Sequence, residues 1–286
     1  MERVGSEQRP EESVARRPPP KPSVKRRVVI PSNIFVGEDQ RLATLRLGLI
    51  ARYLSIFRVE EVLVYGEDGE LTVKTLRYAE TPQYLRRKVI PLDRALKYCG
   101  VIPPLQSPHH PPSLRGRGFV CEYREGVVLR ALKDSVLVDV GLGRPILARG
   151  VARPRERVTV LLEGEPRVVD RSEVPYYWGY AVLTAPDLRG AVRACEGFLR
   201  VATSRIGEPI GRVAERIAED ARRVGKVAVF FGERERGVID RALEEGLEPR
   251  EAFHYVVNLV PNQGTFTIRT EEAIPIALSI LELLID

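Results

Sequence analysis

The stretch from Asn258 to Glu272, NLVPNQGTFTIRTEE, follows the apolar run Tyr255-Val256-Val257 and leads into a long apolar segment. It reads as the end of a buried strand, a turn at Pro261-Asn262, and a helix opening at Thr270 with Glu271 and Glu272 complementing its dipole. The whole chain has three asparagines, Asn33, Asn258 and Asn262, and two of them fall here beside Gln263 and Gly264. Amides concentrated at a strand end fit two readings. One is an ordinary turn into a helix. The other is a ligand site, because α/β folds bind ligands at the carboxyl ends of their strands and exposed amides suit a polar heterocycle.

Working outward, two earlier strands end in loops of similar character. They are Ala202-Thr203-Ser204-Arg205-Ile206-Gly207 and Phe231-Gly232-Glu233-Arg234-Glu235-Arg236-Gly237. Three such loops in succession point to a pocket. No Walker A or GxGxxG motif is present, and Gly207 with Gly211 does not make one, which disfavours a nucleoside triphosphate or NAD. Around these loops the pattern is α/β. A strand at Val28-Val29-Ile30, a helix from Asp39 to Phe57, a strand from Val62 to Tyr65 and a helix start at Thr81-Pro82 form one half. The other half has strands at 180–183 and 198–202, a helix over 210–223, the fully apolar strand Val227–Phe231, a short helix over 237–245 and a strand over 254–258. Between them, from Phe119 to Val169, short strands at 126–130, 135–140, 145–147 and 157–161 alternate with turns, which predicts a small antiparallel barrel of OB type. The expected organisation is a basic disordered arm at 1–27, a discontinuous α/β domain of parallel sheet and flanking helices at 28–106 and 176–286, and an inserted OB-like barrel at 107–175.

Residues 1–27 carry eight basic side chains against four glutamates, with Pro18-Pro19-Pro20 and little that is apolar. Such an arm suits non-specific phosphate contact or simple solubility. Only seven of the 45 Lys and Arg residues are lysine. Arginine excess fits a nucleic-acid partner, and equally a compositional bias. Arg144, Arg149, Arg153, Arg155 and Arg157 decorate the expected barrel as RNA-binding residues, with a solvated, aggregation-resistant edge as the competing reading. Cys99, Cys121 and Cys195 form no CxxC pair, so no disulfide framework or zinc site is expected. His109-His110, between prolines and without a cysteine or carboxylate cluster, reads as a hinge into the barrel rather than a metal site. Tyr176, Tyr177 and Trp178 read as packing at the domain junction. No apolar run reaches the length of a membrane span and no secretory signal opens the chain, so a cytoplasmic protein is expected.

The motifs PheGlyGluArg at 231–234, Asn258, ProAsnGlnGlyThr at 261–265 and IleArgThrGluGluAla at 268–273 resemble SPOUT-class RNA methyltransferases. GluThrProGlnTyrLeuArgArg at 80–87 and the segment at 103–110 narrow the resemblance to the archaeal and eukaryotic branch with an inserted OB-like domain. The resemblance implies a SPOUT α/β trefoil knot, formed by the segments around 203, 232 and 262. It implies S-adenosyl-L-methionine as cofactor, with Thr203, Phe231, Gly232, Asn258, Pro261, Gln263, Gly264 and Ile268 lining its pocket. It implies a homodimer acting on RNA. Arg269, Arg205 and Glu233 are the catalytic candidates, for orienting the base or stabilising negative charge on it, with phosphate positioning as the alternative for both arginines. The expected activity is methylation of structured RNA, ribosomal RNA foremost, at a uridine ring nitrogen. Ribose 2′-O-methylation, a non-catalytic RNA-binding or assembly role, and DNA binding are the rivals.

Overall fold

The computed structural model describes residues 15–67, 69–110, 118–233 and 236–286. The first half opens with β1 (Ala15–Arg16) and β2 (Lys25–Pro31). Helix α1 (Gln40–Ile56) follows, its N-terminus capped by the Asp39 carboxylate, which accepts from the Arg41 and Leu42 amides at 3.0 Å. Then come β3 (Glu61–Tyr65), α2 (Glu70–Glu80) and α3 (Gln83–Val89). The helix expected to start at Thr81-Pro82 is α3, which is capped at Pro82 rather than Thr81; the sequence does not reveal α2, which Thr81 closes, its hydroxyl donating to the Arg77 carbonyl.

The barrel is built from β5 (Tyr123–Ala131), β6 (Ser135–Asp139), β7 (Ile146–Arg149), β8 (Arg157–Leu161) and β9 (Arg167–Val169), preceded by β4 (Gly118–Phe119), which pairs with β1. Its strands close in the order β5-β6-β7-β9-β8. All pairs are antiparallel except β7 with β9, and β9 was not read from the sequence. Val128, Val136, Val138, Ala148, Val158 and Val160 fill the interior.

The chain returns through β10 (Ala181–Ala185), α4 (Leu188–Ala194), β11 (Leu199–Pro209), α5 (Ile210–Val224), β12 (Lys226–Phe230), α6 (Val238–Glu244), α7 (Pro249–Ala252), β13 (Tyr255–Asn258) and α8 (Thr270–Ile285). Six strands form one parallel sheet in the order β10-β3-β2-β12-β11-β13. Alternation along each strand explains why both faces are covered. Val28, Ile30, Val62, Val64, Val227 and Val229 pack with the buried residues of α1, α5 and α8. Val29, Leu63, Tyr65, Ala228 and Phe230 point the other way, onto α4 and α6. The architecture is thus the SPOUT-type α/β sheet with an inserted OB-like barrel.

The basic segment ahead of the sheet is partly absorbed into it. Residues 1–14 lie outside the described residues. The strand β2 starts at Lys25, three residues before the expected Val28. Lys25 and Arg27 pair with Glu61, and the almost fully buried Arg26 pairs with Glu282 and, at 2.7 Å, with Asp286. Among the described residues no helix is long and apolar enough to cross a membrane.

Candidate functional site

The strand β11 lies between β12 and β13, so the connection from β11 to β12 and the next one, from β12 to β13, run in opposite directions across the sheet. Such a reversal leaves a crevice beyond the carboxyl ends of the strands. A cavity of about 420 Å³ lies there, within the range of small-molecule sites.

Its first wall is an excursion within β11. Val201, Ala202 and Thr203 pair with Tyr255, Val256 and Val257, and pairing resumes only at Glu208 and Pro209. Residues 204–207 therefore leave the ladder, placing Ser204, Arg205 and Ile206 on the cavity. The excursion returns at Gly207, where a Cβ would lie 2.6–2.8 Å from the backbone of Val256 and Val257. Only glycine permits that approach. The second wall is the loop after β12. A Cβ at Gly232 would meet the Val238 nitrogen at 2.7 Å and the Arg236 oxygen at 2.9 Å, while the Glu233 amide donates to the Arg236 carbonyl. Thr270, at the start of α8, donates its hydroxyl to the Gly232 carbonyl at 2.8 Å. The third wall is the turn after β13.

The side-chain amides of Asn258 and Gln263 brace these walls. Asn258 donates from Nδ2 to the Arg205 carbonyl at 2.8 Å and accepts from the Val260 amide at 3.0 Å, clamping the excursion to the turn. Gln263 donates from Nε2 to the carbonyls of Thr265 and Phe266. Thr203 donates to the Phe230 carbonyl at 3.0 Å, and Tyr65 donates to the Phe231 carbonyl at 3.1 Å. Burial, reinforced by the Glu233 carboxylate, holds the Tyr65 phenol above its ordinary value, so it remains a neutral donor beneath the site.

Of the expected cofactor residues, Thr203, Phe231, Gly232, Asn258, Gln263 and Ile268 line the cavity, as do the catalytic candidates Arg205 and Glu233. Pro261 and Gly264 lie on the exposed part of the turn and are not among the lining residues. A Cβ at Gly264 would meet nothing within 4 Å, so Gly264 does not shape the wall as Gly207 and Gly232 do. Arg269 precedes α8, exposed and turned toward Glu271, outside the lining. The lining also holds Arg236, Asp240 and Phe266, which the sequence reading passed over. The apolar part of the lining, with Phe231, Ile239, Leu259, Val260, Ile268 and Ile276, gives flat aromatic and aliphatic surface beside the polar loops. That combination fits a purine with a charged tail, so an adenosyl cofactor is compatible with the residues present.

Arg144, Arg149, Arg153 and Arg155 are exposed on the barrel's turns and strand ends, with Arg149 paired to Glu165 at 3.3 Å. Arg157, also expected on that surface, turns inward instead. It bridges Glu80 at 2.5 Å and Glu125 at 2.6 Å, joining the barrel to the end of α2. Arg171 adds a second bridge to Glu80 at 2.8 Å, and the Trp178 indole donates to Glu125. Burial would raise Glu80, but the two guanidiniums outweigh it and hold its carboxyl below the usual range. His109 and His110 both place Nε2 against the Glu80 carbonyl, at 3.0 and 2.8 Å. Burial depresses both rings, His110 to about 4, so both stand neutral at pH 7. The aromatic residues belong to this junction too: Trp178 and Tyr176 are buried against Tyr123.

Residues 25–281 match the model of a family described as "Putative RNA methyltransferase". The chain belongs to this family of RNA methyltransferases. The match spans both halves of the sheet and the barrel between them, as the SPOUT-class motifs imply. An uncharacterised protein of Halobacterium salinarum is 34% identical over 288 residues, covering 90% of this chain and 99% of the relative. The 28S rRNA (uridine-N(3))-methyltransferases of Homo sapiens and Mus musculus are each 30% identical over 298 residues, covering 89% of this chain and 77% and 75% of the relatives.

Proposed function

We propose that this RNA methyltransferase uses S-adenosylmethionine to methylate N3 of a uridine in ribosomal RNA. The cavity at the reversal around β11 carries the reading, because its close-packed glycine turns and mixed lining suit an adenosyl group. The relatives whose names specify uridine N3 support the choice of acceptor. Thr203, Phe231, Gly232, Asn258, Gln263 and Ile268 would hold the cofactor, with Pro261 and Gly264 setting the turn behind them. When bound, the cofactor supplies a methyl group on a positively charged sulfonium.

The chain's own task is to position uracil and manage its N3 proton. N3–H lies between two carbonyls, so donors directed at those oxygens favour the form that has lost the proton. Arg205 and Arg236 carry such donors at the cavity wall. Glu233, half-buried on the same wall, is the acceptor for the proton. Arg269, outside the lining, suits a phosphate of the bound strand. Arg144, Arg149, Arg153 and Arg155 extend the cationic surface along the barrel toward the rest of the RNA. We place the protein in the cytoplasm as a homodimer, with the segments around 203, 232 and 262 forming a trefoil knot.

Isothermal titration of the full chain with S-adenosylmethionine and S-adenosylhomocysteine tests the cavity assignment. About one molecule bound per chain is expected. No heat of binding from folded protein would contradict it.

A further inference from the structure

Most of the apolar lining of the cavity is buried or half-buried, but two large apolar side chains on it stand in water. Ile206 is 76% exposed and Phe266 is 84% exposed. Leaving a phenyl ring solvated forgoes the burial that normally holds such a side chain inside. Phe266 is nevertheless pinned. Its carbonyl accepts from Arg205 Nη1 and from Gln263 Nε2, each at 3.1 Å. The Arg205 guanidinium lies over the ring, 5.3 Å from its centroid. The ring is thus held at the mouth of the cavity by a cation and by backbone contacts, while most of its surface remains available.

That is what a stacking platform requires. An enzyme acting on a ring nitrogen must take the base out of its stack, because paired or stacked bases bury the atom to be modified. The extruded base loses its stacking neighbours and is retained best by an aromatic face beside the reactive centre. Resting on the methyltransferase reading above, we propose that Phe266 is the platform on which the target pyrimidine stacks as it enters the cavity, with Arg205 anchoring it through the Phe266 carbonyl. Arg205 then serves twice. It steadies the platform, and its positive charge favours a base that has lost the N3 proton.

The test compares Phe266→Tyr, Phe266→Leu and Phe266→Ala in the full chain, with unmodified ribosomal RNA transcripts as substrate. Each variant is measured for cofactor affinity by calorimetry, for KM and kcat of methyl transfer, and for oligomeric state by light scattering. Phe266→Tyr keeps a π face and should retain most of the RNA affinity that Phe266→Leu loses. Phe266→Leu keeps apolar bulk without that face, and with Phe266→Ala it should raise the RNA KM by about ten- to a hundredfold. Cofactor affinity and oligomeric state should not move. Normal transfer by Phe266→Leu overturns the platform while leaving the methyltransferase reading intact. Lost cofactor affinity would assign the ring to the cofactor, and an altered oligomeric state would assign it to a subunit contact; either result also overturns it. No transfer by the unaltered chain overturns the underlying function and this proposal with it.

Discussion

Two regions of this molecule concentrate polar side chains, and they use them in opposite ways. At the junction between sheet and barrel, Glu80, Glu125, Arg157 and Arg171 bind one another, and the donors of Thr159 and Trp178 complete Glu125. Glu80 and Glu125 are buried and matched by arginines. At the cavity, by contrast, polar side chains hold backbone. Asn258 holds the Arg205 carbonyl, Thr203 that of Phe230, Thr270 that of Gly232, and Gln263 those of Thr265 and Phe266. A network closed on itself fixes a position, whereas loops braced from behind leave their open side for a ligand. The junction therefore fixes the barrel against α2, and the cavity is where we propose the chemistry takes place.

The contrast can be broken most sharply at the junction. Arg157→Leu leaves two buried carboxylates without their shared cation, a loss of about 3–5 kcal/mol of stability. The melting temperature should fall by on the order of 10 °C, read by calorimetry; a change under about 2 °C would show that the junction is not closed. Next comes pH. A histidine whose folded value lies below its unfolded value of about 6.5 gives stability present above that pH and lost as pH falls toward the folded value. With His110 depressed to about 4, stability should drop by up to about 3 kcal/mol between pH 6.5 and 4. Urea denaturation across that range checks it, and His110→Gln should flatten the slope.

At the cavity the balance reverses. Arg205→Ala removes a guanidinium but keeps the carbonyl that Asn258 holds, so stability should change by less than about 1 kcal/mol. Methyl transfer should fall about a hundredfold or more, with cofactor affinity unchanged; a variant that transfers normally would remove Arg205 from the chemistry. The smallest effect is expected on the barrel surface. Arg153 and Arg155 are exposed, so replacing both by alanine should lower the logarithmic salt slope of RNA binding by about two and leave turnover at saturating RNA unchanged. An unaltered slope would place the RNA elsewhere.

Period and loop composition made the sheet legible. Val227 to Phe231 is apolar throughout because both faces are covered, and the segment Asn258 to Glu272 was readable as strand, turn and helix. Three features were not. The strand β2 begins with Lys25, Arg26 and Arg27, whose charges read as an arm because their partners Glu61, Glu282 and Asp286 lie far along the chain. Arg157 looked like a surface arginine for the same reason, since Glu80 is distant in sequence. Within the site, composition found the loops but not which atoms face the cavity. Gly264 and Gly232 look alike in sequence, and only the packing around Gly232 separates them. Phe266 stands inside the stretch 258–272, but its exposure is not written in its residue type.

Nucleoside analysis of the product joins the cavity to one acceptor atom. Unmodified ribosomal RNA is incubated with the full chain and isotope-labelled S-adenosylmethionine, digested to nucleosides and resolved by mass spectrometry. Label is expected in 3-methyluridine and is expected to be lost in Arg205→Ala. Label in a 2′-O-methylated nucleoside, or none with active cofactor binding, would contradict it.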